Sequence, residues 1–172
     1  MKLICLLILS GCFVNNSFAQ KLPCSNPVYR QFDFWVGDWE AFALNGKKAG
    51  DSKISIILDS CIVLEEWTSM AGKGQFQYTG KSFNTYNAAT NQWQQTWVDN
   101  SGGSNEYLNG KFENNAIIFI TNPFPFSKDT MATRRLTFFN LNKEKVRQLG
   151  EISKDKGSSW ITEYDLEYRR KM

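Results

Sequence analysis

Histidine is missing altogether from the 172 residues of this chain. Without it, Ser-His-Asp triads, Cys-His dyads and the imidazole ligands of most zinc and haem sites cannot form. Tyrosine can serve as an axial haem ligand, but no tyrosine stands out from the pattern. Carboxylates are scattered outside turns and do not build the oxygen-rich cluster that calcium requires. No metal and no cofactor is therefore expected. No apolar run approaches the roughly 20 residues a membrane-spanning helix needs, so no transmembrane segment is expected. The formal net charge is only +3, and no dense basic stripe accompanies it, which argues against nucleic acid as a partner.

Cysteine is also sparse, with four in the chain. Cys5 and Cys12 fall in an N-terminal segment where Met1-Lys2 precedes the apolar run 3–9 and Ser17-Phe18-Ala19 supplies the small residues a signal peptidase reads. Residues 1–19 therefore read as a signal peptide and residues 20–172 as one domain, a length that suits a single core. Leu9-Ser10-Gly11-Cys12 offers an alternative, a lipobox whose Cys12 would carry a lipid anchor. The expected location is secreted or periplasmic. In that oxidising compartment the remaining pair, Cys24 and Cys61, reads as a structural disulfide, worth roughly 4 kcal/mol in the chain-entropy model. A redox or metal pair is the competing reading, though Cys-x-x-Cys spacing is absent.

What the chain does have is alternation. Short runs of period two occupy 39–44, 52–58, 62–70, 76–86, 93–99, 106–112, 116–121, 130–139, 145–153 and 160–170. Glycine, asparagine or proline stands in the segments between them, as turns require. Connections this short favour neighbouring antiparallel strands, and about ten such strands remove their edges by closing into an up-and-down barrel. A two-sheet sandwich is the alternative architecture.

The stretch Phe32-Asp33-Phe34-Trp35-Val36-Gly37-Asp38-Trp39-Glu40 supports closure. Gly37 lets the backbone leave a short helical turn at an angle a Cβ would obstruct, and Trp39 can then plug one end of a barrel. On the last run the even positions, from Trp160 through Tyr164, Leu166 and Tyr168 to Arg170, share one face, which should be the inner one. Arg170 would then reach the closed end and stack on Trp39, donating to carbonyls of the preceding turn. A solvated terminal arginine is the simpler alternative.

With Trp39 and Arg170 so placed, the chain resembles the calycin group of lipocalins, fatty-acid-binding proteins and nitrobindins, which open with Gly-x-Trp and close with a cation over that tryptophan. More closely, it resembles an uncharacterised secreted bacterial family with a lipocalin-like barrel. The resemblance runs through residues 30–39, 61–67, 80–86, 93–99, Arg135-Leu136-Thr137, Val146-Arg147-Gln148, 153–160 and Tyr168-Arg169-Arg170. It implies a calycin barrel of about ten strands after a short N-terminal helical turn, and no transferable activity. Phe138 and Gly150 depart from it, standing where tryptophans are common.

Residues 153–160 also match Ser-x-Asp-x-Gly-x-x-Trp, the Asp-box hairpin of sialidase propellers. There the aspartate accepts backbone N–H groups, glycine takes positive φ and tryptophan anchors the hairpin in the core, a structural role. A sugar-binding or catalytic role is the alternative.

Parity also nominates lumen residues. Glu65 and Glu66 must face opposite ways, and pairing with Trp67 by the period of two turns Glu65 inward. The same rule groups Gln95 with Trp93 and Trp97, Arg135 with Met131 and Thr137, and Gln148 with Val146 and Gly150. Glu65 and Arg135 could then meet across the lumen and orient a ligand between aromatic walls, or simply neutralise each other inside a filled core. The candidate ligand-binding set is Glu65, Trp67, Trp93, Gln95, Trp97, Arg135 and Gln148. Trp35, Trp39 and Trp160 read as closure and core residues. One β-bulge would invert any such row.

Three functions fit these residues. The favoured one is a barrel that binds a small apolar or amphiphilic molecule. The second is an isomerase or lyase using Glu65 as general acid or base and Arg135 to stabilise negative charge. The third is an interaction scaffold. A Glu65 pKa raised beside an open cavity would favour catalysis, and a wide apolar cavity with a satisfied ion pair would favour binding. The alternation carries no information on oligomeric state.

Overall fold

Alternating side chains and turn residues arrange the chain as a run of antiparallel strands behind a short helical plug. The computed structural model describes residues 23–172. The expected signal segment, with Cys5 and Cys12, lies outside the described residues. Two single-turn 3-10 helices, Pro27–Arg30 and Asp33–Trp35, lead into β1 (Gly37–Ala43), β2 (Lys48–Ile57), β3 (Ile62–Ser69) and β4 (Thr79–Asn87). They are followed by β5 (Gln92–Asp99), β6 (Ser104–Glu113), β7 (Ala116–Ile120), β8 (Phe124–Ser127), β9 (Thr130–Asn142), β10 (Lys145–Ser153) and β11 (Ile161–Arg170). Each strand from β1 to β6 pairs with the next, β7 pairs with β9, β9 with β10 and β10 with β11. The circle closes where β11 meets β1, with Trp39 opposite Arg170.

This is the expected closed up-and-down barrel and not a sandwich. Ten strands form its wall, and β8 lies outside the circle, paired only to β9. Sequence alternation did not reveal β8 because Pro123 precedes it and Pro125 lies within it, and proline is confined to edge positions of a sheet.

The helical plug closes one end. Phe32, Trp35 and Trp39 are fully buried there. Trp35 packs on Phe138 with ring centroids 4.4 Å apart and stacks on Phe32 at 5.1 Å. The Trp39 indole Nε1 donates to the Trp35 carbonyl at 2.7 Å. Arg170 covers Trp39 with its guanidinium 4.2 Å from the ring centroid, and its Nη1 and Nε donate to the carbonyls of Val36 and Lys143. Gly37, at φ 139, is the residue that guanidinium crosses, and a Cβ there would collide with it. The cation lid expected from the sequence is thus formed in full.

The Cys24–Cys61 disulfide fastens the plug to the turn between β2 and β3. That turn is conformationally costly: Leu58, Asp59 and Ser60 all take left-handed φ values, 49°, 51° and 74°. Each such residue costs roughly 1–2 kcal/mol. The bridge and a hydrogen bond from the Arg30 guanidinium to the Ser60 carbonyl hold it in place.

The Asp-box hairpin between β10 and β11 has the internal bonding expected of it. Asp155 accepts from the Ser159 backbone N–H at 2.9 Å and the Ser159 hydroxyl at 2.6 Å, and Gly157 takes φ 89. These bonds hold the Asp155 carboxyl down to about 2. The expectation for Trp160 is corrected. It is half-buried on the outside of the barrel beneath Arg135, not in the core, because β11 begins only at Ile161.

Candidate functional site

Above the aromatic plug the lumen is open. A cavity of about 470 Å³ occupies that half of the barrel. Its floor is polar. Ser52 on β2, Glu65 on β3, Ser82 and Asn84 on β4 and Gln95 on β5 all point inward and are buried. They form one connected network. Gln95 Nε2 donates to Asn84 Oδ1 at 2.7 Å, and Asn84 Nδ2 donates both to the Val63 carbonyl at 2.9 Å and to Ser82 Oγ at 3.0 Å. A carbonyl can only accept, so Asn84 is fixed with its amide nitrogen toward Val63 and Ser82. Ser82, accepting from Asn84, keeps its own proton for Glu65 Oε2 at 3.1 Å. Ser52 donates to Glu65 Oε1 at 2.8 Å.

From the other side of the lumen, Tyr168 on β11 places its hydroxyl 2.8 Å from Gln148 Oε1 and 3.4 Å from Glu65 Oε1. The phenol has one proton, and the shorter contact takes it. Glu65 therefore sits at the centre of a belt of hydroxyl and amide groups spanning β2 to β5 and β10 to β11. It is 2% exposed and has no cation against it among the described residues. Burial raises its pKa to about 7, against the lowering effect of the hydrogen bonds from Ser52 and Ser82. Burial also holds the protons of the cavity phenols, raising Tyr168 well above the usual range and Tyr107 to about 12.

Aromatic and apolar walls rise from this floor. Trp67 and Trp97 line the cavity with Tyr78, Leu136 and Leu166. The Trp97 indole Nε1 is tied to the Tyr78 hydroxyl at 3.1 Å, and that hydroxyl donates to Asp99 Oδ2 at 3.0 Å. Gly150 leaves the space that the Tyr164 ring takes up. Phe138 fills the closed end and contributes nothing to the cavity wall.

At the mouth stands the one cation among the described residues that line the cavity, Arg134. It is committed: Nε and Nη2 donate to the two carboxylate oxygens of Glu163 at 2.8 and 3.0 Å. A bulge between Gly150 and Glu151 leaves Glu163 without a ladder partner and turns it toward Arg134, though alternation had put it on the outer face.

Of the seven residues nominated for the lumen, Glu65, Trp67, Gln95, Trp97 and Gln148 come together around this cavity. Trp93 faces inward but lies below it, 2% exposed, with its indole donating to Gln31 at 3.0 Å. Arg135 requires correction. It points outward, bonds Glu151 at 2.8 Å and lies 4.2 Å over the Trp160 ring, so the expected pairing with Glu65 across the lumen does not form. The reason is parity: Ala132, Arg134, Leu136 and Phe138 form the inner row of β9, and Met131, grouped with Arg135, is 52% exposed. The polar floor residues Ser52, Ser82 and Asn84 were missed. Their signal was a cluster of polar residues at inward positions on the two strands flanking Glu65: Ser82, its direct partner on β4, with Asn84 two residues on, and Ser52 two residues before Ile54, its direct partner on β2.

No helix among the described residues is long and apolar enough to cross a membrane. Among them, no group of three or more His, Cys, Asp or Glu could hold a metal. The barrel is compatible with a calycin fold. No family model matches the chain, and no curated protein is similar to it.

Proposed function

We propose that this protein is an exported calycin-like barrel that binds one small amphiphilic molecule in its lumen. The observation that carries this reading is the asymmetry of the cavity: a buried carboxyl, carboxamides and phenols at the floor, and indole and leucine side chains on the walls. Ligand sites of this kind join a mostly apolar surface to a few convergent polar groups, and a volume of about 470 Å³ lies in their usual range. Export, through residues 1–19 as a signal peptide or with a lipid on Cys12, fits a chain whose Cys24 and Cys61 are bridged. Membership of the secreted bacterial lipocalin-like family belongs to the same reading.

Native mass spectrometry of the protein purified from its own host tests it. The expected spectrum contains a small molecule bound one to one, released when Trp67→Ala or Trp97→Ala opens the wall. A spectrum of protein alone, with no binding of amphiphiles added afterwards, contradicts it.

One observation favours a second reading, an isomerase or lyase. Glu65 has a pKa near 7 beside an open cavity, the range in which a carboxyl transfers protons both ways at neutral pH. The electrophilic partner nominated from the sequence, Arg135, is on the outer face, and Arg134 is held by Glu163. On this reading Glu65→Gln abolishes turnover of the copurified molecule without abolishing its binding.

A further inference from the structure

The charge balance of the cavity narrows the ligand class, given the binding reading above. We infer that the lumen takes a cationic amphiphile, an amine or quaternary ammonium compound whose charge rests against Glu65 and whose apolar part lies between Trp67 and Trp97.

Glu65 is surrounded from every strand packed against it by neutral groups: Ser52 from β2, Ser82 from β4, and Tyr168 from β11. Tyr164 and Tyr78, the next titratable groups around it, are phenols, which keep their protons at neutral pH. The Asn84 amide commits the Ser82 proton to the Glu65 carboxylate, so the network is built to feed an anion. An anion served by hydroxyls alone in a low-dielectric site lacks its counter-charge. Arg134 does not supply it, because both of its donor edges facing Glu163 are engaged in a bidentate pair.

Three ligand classes can be weighed against this arrangement. A carboxylate or phosphate ligand would meet Glu65 as a like charge and find no unpaired cation on the cavity wall. A neutral alcohol or ketone would leave the anion uncompensated. A cation supplies the missing charge, and the indole and phenol faces of Trp67, Trp97 and Tyr168 offer the quadrupole surface that ammonium groups favour. Because such a ligand binds the ionised carboxyl, its uptake must release the Glu65 proton wherever that proton is present beforehand.

Isothermal titration with three probes of one chain length, octyltrimethylammonium, octanol and octanoate, tests the inference. Octyltrimethylammonium has no titrating proton of its own, so any proton released comes from the protein. The expected result is that it alone binds well, that its affinity falls about tenfold per pH unit below pH 7, and that Glu65→Gln weakens it at least tenfold. Titrations of the unaltered protein near pH 7 in two buffers of different ionisation enthalpy should report proton release, a readout independent of any variant's folding. Tight binding of octanol or octanoate with no preference for the ammonium probe overturns the cationic class while leaving the binding reading in place. Ammonium binding without proton release, or unchanged in Glu65→Gln, also overturns it. Failure of all three probes overturns both.

Discussion

The two ends of this barrel are built from similar residues to opposite effect. At the closed end, Phe32 contacts Trp35, Trp93, Phe119 and Phe138, Arg170 covers Trp39, and the polar tips of Trp39 and Trp93 are satisfied locally, with only the buried Trp35 indole N–H among these tryptophans left without a partner. At the open end, Trp67 and Trp97 line the cavity, and the polar groups below them converge on one carboxyl with no cation against it among the described residues. The first arrangement buries apolar area to stabilise the fold. The second leaves apolar wall and a carboxyl without a counter-charge, the arrangement that the proposed binding role rests on.

Substitution at the two ends should separate these roles. Trp35→Ala or Phe138→Ala removes a fully buried ring and is expected to cost about 3–5 kcal/mol of stability in urea denaturation, whereas Trp67→Ala should cost far less and act on ligand affinity instead. Equal destabilisation at both ends would erase the distinction. Reducing the Cys24–Cys61 bridge frees the plug from the strained turn at Leu58, Asp59 and Ser60. A loss of about 2–4 kcal/mol is expected, measured by denaturation with and without reductant.

A third contrast is in pH. Glu65 holds its proton more tightly in the folded protein than in the unfolded chain, where its pKa is 4.5 rather than about 7. Its contribution to stability is therefore fully present below about pH 4.5 and is lost as pH rises through 7. The ligand-free protein should lose about 3 kcal/mol across that window, and Glu65→Gln should remove the dependence. Asp99 and Asp155 act in the opposite sense and at lower pH. Their hydrogen bonds depress both carboxyls, Asp155 to about 2, so their stabilisation is lost only as pH falls below the ordinary carboxylate range. The smallest effect separates two neighbours on β9. Arg135→Ala on the outer face should change stability by under about 1 kcal/mol and leave the cavity untouched. Arg134→Ala should free Glu163 at the mouth and alter ligand affinity.

Much of this was legible in the alternation. Strands β3, β4 and β5 pair through Glu65, Trp67, Ser82, Gln95 and Trp97 without an irregularity between β3 and β4 or between β4 and β5, so period-two counting from Trp67 placed Glu65 correctly. Gly37, Trp39 and Arg170 were readable because closure needs a small residue, a ring and a cation at fixed places. The rest was hidden for identifiable reasons. β9 carries arginines at consecutive positions, and only the apolar partners Ala132, Leu136 and Phe138 reveal which one turns inward. On β11, the bulge opposite Gly150 and Glu151 turns Glu163 inward, and strand alternation cannot anticipate an extra residue. The direction of the hydrogen bonds around Glu65 depends on cross-strand register, which no single strand contains.

The comparison between the two ends can be read residue by residue with carbon-detected NMR of the methyl and carboxyl groups while octyltrimethylammonium is added. The account predicts shifts at Leu136, Leu166 and the Glu65 carboxyl, with Ile117, Val63 and Val146 at the closed end unmoved. Shifts confined to the outer surface, or an unchanged Glu65 carboxyl, would contradict it.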